Sequence, residues 1–203
     1  YGWLWGFTTT YVGMLWVPEL LWRFGRVPWV VAHLGGFVSA LFHGLPLAVA
    51  GALICALWTG RGIRPIIAAP MAIVAAELVV PLVFPWFIAI SQHELLILNQ
   101  VADIFGVRGV SALVALGGAA LYGLVSTDDG HRRAQETLIV LMVFVLVGIY
   151  GTIRILQIEA RRARAPSLIV GLVQPNLTVE LKNDPARFAI NLALHRDMSA
   201  ELE

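Results

Sequence analysis

The sequence predicts an α-helical, multi-span membrane bundle followed by the opening strand and helix of an α/β domain. The first observation is composition: 59% of the 203 residues are hydrophobic and 13% are charged, whereas soluble proteins carry about 25% charged residues. The second is a mean hydropathy of +0.80, and the third is a change of character after Pro166, where a short soluble segment begins. A soluble fold of this length has too little interior for so much apolar surface, which places the chain among integral membrane proteins.

Uncharged stretches define the predicted spans, because a helix needs about 20 mostly apolar residues to cross the hydrocarbon core. Such stretches lie at residues 1–18, 28–59, 65–87, 109–126 and 137–154; the third is interrupted by Glu77, and the fifth ends at Arg154. The second stretch is long enough to bend. We expect its kink at Pro46, which lacks the backbone N–H that a helix interior uses.

Two of these spans carry faces of small residues. Ser111, Ala115 and Ala119 recur every four residues in the fourth span, and Gly2 and Gly6 have the same spacing in the first. Small side chains at this spacing let a neighbouring helix approach closely. We therefore expect both faces to be packing surfaces.

The soluble segment begins after an arginine-rich juxtamembrane linker at residues 157–166 and covers residues 167–203. Leu168–Val173 is short, rich in β-branched residues and flanked by prolines, which is typical of a buried strand. Asp184 and Pro185 then predict a helix start, because aspartate caps helix N-termini and proline fits the first helical position. Strand, loop and helix in this order are how an α/β sandwich begins.

Several site types are excluded by residue content and spacing. A net charge of +1 and the lack of a basic stripe interleaved with aromatic residues argue against nucleic acid as a partner. Cys55 is the single cysteine and lies in an apolar run, so it can form no intrachain disulfide and has no setting that would activate a thiol. His33 and His43 are ten residues apart, not the three or four that place two metal ligands on one helical face. We predict no metal site and no cofactor.

Polar side chains with possible functions lie in the third span, the loop after it and the soluble segment. Glu77 is the one acid inside a predicted span, and a carboxylate at bilayer depth is costly enough to be a functional candidate. Equally, it can face the bundle interior and hydrogen-bond to a neighbouring helix. The polar loop at residues 91–103 is either a surface that faces lipid headgroups or a solvated connection. Gln174 and Asn176 follow the predicted strand, where such side chains stabilise turns by bonding to the backbone.

Several segments resemble apolipoprotein N-acyltransferases in order and spacing. They are Phe84–Trp86, Ser91-Gln92, residues 99–111, residues 170–176 and Glu180–Pro185. The most specific are the series Gln100-x-x-Asp103-x-x-Gly106-x-x-Gly109-x-Ser111 and the Val-Gln-x-Asn strand exit, which opens the nitrilase-like domain of that family.

The resemblance implies a bacterial inner-membrane bundle with a nitrilase-like domain, an α-β-β-α sandwich, on the periplasmic side from residue 167. It also implies a ping-pong reaction. A cysteine thiolate takes an acyl chain from a phospholipid and passes it to the N-terminal amine of a diacylated lipoprotein. The family's Glu, Lys and Cys triad is expected beyond Glu203, so this fragment alone should be inactive.

Six polar residues are the candidates for substrate binding within this chain: Glu77, Gln92, Gln100, Asp103, Gln174 and Asn176.

Two other functions remain open on the sequence. A membrane-fused nitrilase-like acyltransferase with a different acceptor would have the same membrane part. A transport or scaffold protein would use Glu77, His33 and His43 to line a polar path. Orientation has two answers as well: the arginine count places the tail in the cytoplasm by the positive-inside rule, whereas the resemblance places it in the periplasm.

Overall fold

The computed structural model describes residues 1–126 and 129–201, and all regular secondary structure in these residues is helical. The chain divides into two compact units, Tyr1–Arg162 and Ala163–Glu203. The helices of the first unit are α1 Gly2–Gly13, α2 Trp16–Arg23, α3 Trp29–His43, α4 Leu45–Cys55, α5 Pro65–Val79, α6 Leu96–Asn99, α7 Ala102–Ser126 and α8 Gly130–Arg162. A π-helical turn, Ala56–Gly60, continues α4, and a 3-10 turn, Ile88–Gln92, lies in the loop between α5 and α6.

Three helical stretches are long and apolar enough to cross a membrane: Trp29–Gly60, Ala102–Ser126 and Gly130–Arg162. The apolar helix α5 is shorter, at 15 residues. Residues 1–18, predicted as one span, hold α1 and the start of α2. The apolar content of these helices makes the first unit a helical membrane bundle, as the composition predicts.

The span Trp29–Gly60 is interrupted next to Pro46. Helix α3 ends at His43 and α4 begins at Leu45, with Gly44 between them and Pro46 in the first turn of α4. Proline is accepted in a first turn because no intrahelical partner is needed there for its missing N–H. The interruption therefore falls where the sequence predicts it.

The predicted small-residue faces are packing surfaces. Helix α7 packs on α5 through its small face, where Ser111 is fully buried and Ala119 is buried. Helix α1 packs on α4 so closely that a methyl group on Gly6 would overlap the carbonyl oxygen of Gly44. A methyl group on Gly2 would stand 2.9 Å from the carbonyl oxygen of Leu47. The core beside α7 consists of small aliphatic residues of α4 and α5, which are Ala50, Ala72, Ile73 and Ala76.

In the second unit, the helix start is confirmed but the strand is absent. The Asp184 side chain accepts a hydrogen bond from the Ala186 N–H at 2.9 Å, the 3-10 turn Pro185–Arg187 follows, and α10 covers Phe188–Ala200. A short helix α9, Val179–Lys182, precedes this start. Leu168–Val173 has no regular secondary structure. A strand is stabilised by pairing with another strand, and no described residue pairs with this segment.

Candidate functional site

Glu77 is the centre of a buried polar cluster at the end of α5. Its residue exposure is 6%, and its Oε1 accepts hydrogen bonds from the Ser111 hydroxyl and from the Ile88 N–H, both at 3.0 Å. Ser111 comes from α7, whereas Ile88 begins the 3-10 turn of the loop. The carboxylate thus joins α5, α7 and the loop.

Ser111 connects Glu77 to a second residue of the loop, Ala89. Its hydroxyl oxygen accepts a hydrogen bond from the buried Ala89 N–H at 3.2 Å. The first N–H groups of a helical turn have no partner within the turn, and here two of them, from Ile88 and Ala89, bind side chains of the bundle. Irregular backbone at membrane depth is tolerated where protein partners satisfy it. Glu77 and Ser111 are these partners.

His43, at the end of α3, holds the same loop at a second point. Its Nε2 accepts a hydrogen bond from the Phe84 N–H at 3.2 Å, while its Nδ1 is 2.9 Å from the carbonyl oxygen of Ser39. This pair of contacts places the ring proton on Nδ1, because a carbonyl only accepts. The imidazole also stacks on the Phe84 ring, with 5.5 Å between centroids.

Arg108 of α7 also contacts the cluster. One guanidinium nitrogen, Nη2, donates to the backbone carbonyl of Glu77 at 3.3 Å. The guanidinium carbon lies 5.3 Å from the centre of the Phe87 ring, in a cation–π contact. Sequence reasoning recognised neither this residue nor the anchoring roles of Ser111 and His43.

The remaining loop candidates are engaged in local contacts at this end of the bundle. Gln92 donates from Nε2 to the Ser91 hydroxyl at 3.0 Å. Gln100 donates from Nε2 to the carbonyl oxygen of Leu96, also at 3.0 Å. Asp103, at the start of α7, forms an ion pair with Arg154 of α8. All three lie on or beside the loop that Glu77 anchors.

Gln174 and Asn176 belong to the second unit, and both are exposed. Asn176 has a φ of 50°, a left-handed conformation that asparagine adopts more readily than most residues. This conformation supports the turn that the sequence predicts after residue 173.

Among the described residues, His33 lies apart from the cavity that His43 and Glu77 border. His33 is exposed, its Nδ1 lies 2.9 Å from the carbonyl oxygen of Trp29, and its ring packs on the Trp29 ring at 4.1 Å. His43 and Glu77 both border a cavity of about 20 Å³, which is roughly the space of one water molecule. This cavity is too small for an organic substrate. In the described part of the chain, no three His, Cys, Asp or Glu side chains gather in a way that could hold a metal ion.

The cluster has the chemistry of an anchor. Ser111 is fully buried, so no substrate carbonyl can reach its hydroxyl. Glu77 Oε1 and His43 Nε2 accept hydrogen bonds from loop N–H groups, whereas Glu77 Oε2 is buried without a hydrogen-bond partner among the described residues. What the cluster fixes is the backbone of the loop at residues 80–101. This loop carries partly exposed polar and aromatic side chains at the surface of the first unit, among them Gln100 and Trp86.

Comparison with known proteins identifies the family. Residues 1–120 match the family model of the apolipoprotein N-acyltransferase N-terminal domain. The chain belongs to the apolipoprotein N-acyltransferase family. An apolipoprotein N-acyltransferase of Geobacter metallireducens is 31% identical over 96% of this chain and 39% of its own length. One of Haemophilus ducreyi is 29% identical over 92% of this chain and 36% of its own length.

A third apolipoprotein N-acyltransferase, from Coxiella burnetii, is 30% identical over 91% of the chain and 38% of its own length. The chain therefore spans somewhat less than two fifths of the length of these curated relatives. No solved structure matches the chain.

Proposed function

We propose that this chain is the membrane part of an enzyme that N-acylates lipoproteins. In the first half-reaction, a cysteine thiolate attacks an ester carbonyl of a phospholipid, which forms a thioester and releases the lysophospholipid. In the second, the N-terminal amine of a diacylated lipoprotein attacks the thioester, which forms an amide and returns the thiol. Covalent catalysis of this kind divides one difficult transfer into two easier steps.

The observation that carries this proposal is the family match over residues 1–120. The anchored loop offers a physical basis for this function. Both substrates carry acyl chains in the bilayer, so they must reach the catalytic residues from the membrane. We propose that Gln92, Gln100 and Asp103 contact the polar parts of these lipids. Glu77 acts as a positioning residue, since its carboxylate binds the loop backbone.

We propose that the second unit begins a nitrilase-like domain on the periplasmic side of the bacterial inner membrane. The Glu, Lys and Cys triad would belong to the part of that domain after Glu203. Gln174 and Asn176 would shape the entry to this domain, where the turn at Asn176 is supported by its left-handed backbone. Arg161 and Arg162 lie in the last turn of α8, within the predicted juxtamembrane linker at residues 157–166.

Acyl transfer by the full-length parent protein is the direct test. The purified protein is incubated with a phospholipid that carries a labelled acyl chain and with a synthetic diacylated lipopeptide. We expect the label first on a protein thioester that hydroxylamine cleaves, and then on the peptide amine. A labelled thioester without transfer to the lipopeptide would favour an acyltransferase with another acceptor, and the absence of any thioester would overturn the proposal.

Side placement is tested by a Ser167→Cys variant of the full-length protein. An impermeant maleimide added from the periplasmic side should label the peptide that contains residue 167. Cys55 serves as the internal control, because it lies on the apolar surface of α4 and should stay unlabelled. Labelling of residue 167 only after the inner membrane is disrupted would contradict periplasmic placement and support the orientation given by the arginine count.

A further inference from the structure

The small cavity next to Glu77 lies beside the interruption between α3 and α4. His43 and Pro46 border it from that side, Glu77 borders it from α5, and Trp86 borders it from the loop. Its volume is about 20 Å³, and a cavity that admits one water molecule needs roughly 10–15 Å³. The cavity therefore has room for a single water molecule.

Glu77 brings a free acceptor to this cavity. Its Oε1 accepts hydrogen bonds from the Ser111 hydroxyl and the Ile88 N–H. Its Oε2 is buried and has no hydrogen-bond partner among the described residues. A buried carboxyl oxygen without a partner is costly, and most buried polar atoms bind either protein or ordered water. Oε2 therefore needs a partner that the surrounding protein atoms do not supply.

Trp86 brings a free donor to the same cavity. Its backbone N–H donates to the carbonyl oxygen of Phe84 at 2.7 Å, whereas its indole N–H has no acceptor in the part of the chain that the structure describes. An indole N–H can only donate, and a partly buried tryptophan usually places this group on a partner. One cavity is thus bordered by an unused acceptor and an unused donor that do not bond to each other.

Water fits this lining better than a cation or an extra proton on Glu77. Glu77 is the one residue of the lining whose side chain carries oxygen atoms, whereas a Mg²⁺ or Ca²⁺ ion needs about six oxygen ligands. A proton on Oε2 would add a second donor, which the indole N–H cannot accept. A water molecule accepts and donates, so it can bond to both groups whether or not the carboxyl group carries a proton.

We propose that one ordered water molecule binds in this cavity and bridges the Trp86 indole N–H to Glu77 Oε2. The carboxyl group of Glu77 then holds the loop in two ways. Oε1 binds the backbone of the loop directly, and Oε2 binds a side chain of the loop through the water. The bridge fixes the orientation of the Trp86 ring. It does not depend on catalysis, so it stands or falls separately from acyl transfer.

The first test is an experimental structure of the full-length protein that shows ordered water. We expect one isolated density peak at hydrogen-bond distance, about 2.7–3.2 Å, from both Glu77 Oε2 and Trp86 Nε1. Three results would overturn the proposal: no peak in the cavity, a peak that contacts Glu77 but not Trp86, or a peak surrounded by several oxygen ligands as a cation would be.

The second test detects the water from the indole side, by NMR of the full-length protein labelled with ¹⁵N-tryptophan. The signal that disappears in Trp86→Phe identifies the Trp86 indole N–H. This proton should show dipolar cross-relaxation with a bound water molecule. The exposed Trp22, beside the Glu19–Arg23 ion pair, is the internal comparison and should show only exchange with solvent. The same solvent exchange at Trp86 would contradict the bridge.

A matched pair of variants separates the water from general effects on packing. Ala76 is buried and borders the cavity, so Ala76→Val should displace the water and abolish the cross-relaxation at Trp86. Ala72→Val adds the same bulk one turn earlier, at a buried position outside the lining, and should keep the signal. Equal signals in the two variants would overturn the proposal. If either variant fails to fold, the structure of the parent protein decides.

Discussion

The two ends of the bundle are held together by different kinds of contact. At the loop end, Glu77 and His43 accept hydrogen bonds from backbone N–H groups of the loop. At the opposite end, Arg64 and Glu136 connect the start of α5 to α8 through an ion pair of 3.2 Å, in which the Arg64 side chain is half-exposed. The loop end therefore fixes a loop backbone in addition to having the side-chain ion pair Asp103–Arg154, whereas the contact at the opposite end joins two side chains.

This difference follows from the kind of connection at each end. A short connection between two helices needs few partners, because most of its backbone groups reach water. A long irregular loop with buried turns must have its N–H groups satisfied by protein atoms. The loop end carries this structural cost, and the same loop carries the polar candidates Gln92 and Gln100.

The largest effect is expected for Glu77→Ala. The change leaves the Ile88 N–H and the Ser111 hydroxyl without their acceptor, and buried donors without partners cost about 1–3 kcal/mol each. The free energy of unfolding in detergent, followed by tryptophan fluorescence, should fall by about 2–4 kcal/mol. Glu77→Gln is the control, because it keeps an acceptor oxygen and should lose much less. Equal stability of Glu77→Ala and the parent would mean that the anchor contributes nothing.

Gly151→Ala should loosen the loop by a steric route. A methyl group on Gly151 of α8 would overlap the carbonyl oxygen of Ile97 in α6, and overpacking of this kind costs about 1–3 kcal/mol. Hydrogen exchange of residues 88–99 should become faster. Gly148→Ala is a matched control on the same helix, since a methyl group there meets nothing within 4 Å. The same exchange rates in both variants would contradict the close packing of α6 on α8.

His43→Leu should release the loop at Phe84. The variant keeps an apolar side chain of similar bulk, but the Phe84 N–H loses its acceptor, for a cost of about 1–2 kcal/mol. Limited proteolysis near residues 80–87 should become faster. His33→Leu provides the comparison, because His33 is exposed and its Nδ1 lies 2.9 Å from the carbonyl oxygen of Trp29 in the preceding turn of its own helix. Faster cleavage in His33→Leu than in His43→Leu would show that the loop is held elsewhere.

The smallest effect is expected at the opposite end. Arg64→Gln should lower the free energy of unfolding by about 1 kcal/mol, because the Arg64 side chain is half-exposed and exposed charges contribute little. Glutamine keeps an N–H donor for Glu136, whose side chain is 13% exposed. The difference between the variant and the parent should shrink at high salt, where the charges are screened. A loss as large as that of Glu77→Ala would mean that both ends are equally important for stability.

The sequence by itself determined the membrane class, the helical packing faces and the family resemblance. The membrane class follows from composition and from the lengths of the apolar stretches, because bilayer thickness sets the required helix length. The spacing of Ser111, Ala115 and Ala119 predicts a packed face, because residues four apart lie on the same side of a helix. Asp184 predicts a helix start through a contact two residues away. All of these rest on local periodicity or on local chemistry.

Only the tertiary structure decided what the polar residues do. The sequence left Glu77 between a functional and a structural role, because its partners Ile88 and Ser111 are 11 and 34 residues away. The pairing of His43 with the Phe84 backbone spans 41 residues, and no spacing rule predicts such a contact. Strand formation at Leu168–Val173 likewise depends on a partner elsewhere in the chain. Local patterns specify helices, whereas hydrogen bonds between distant segments arise only when packing brings those segments together.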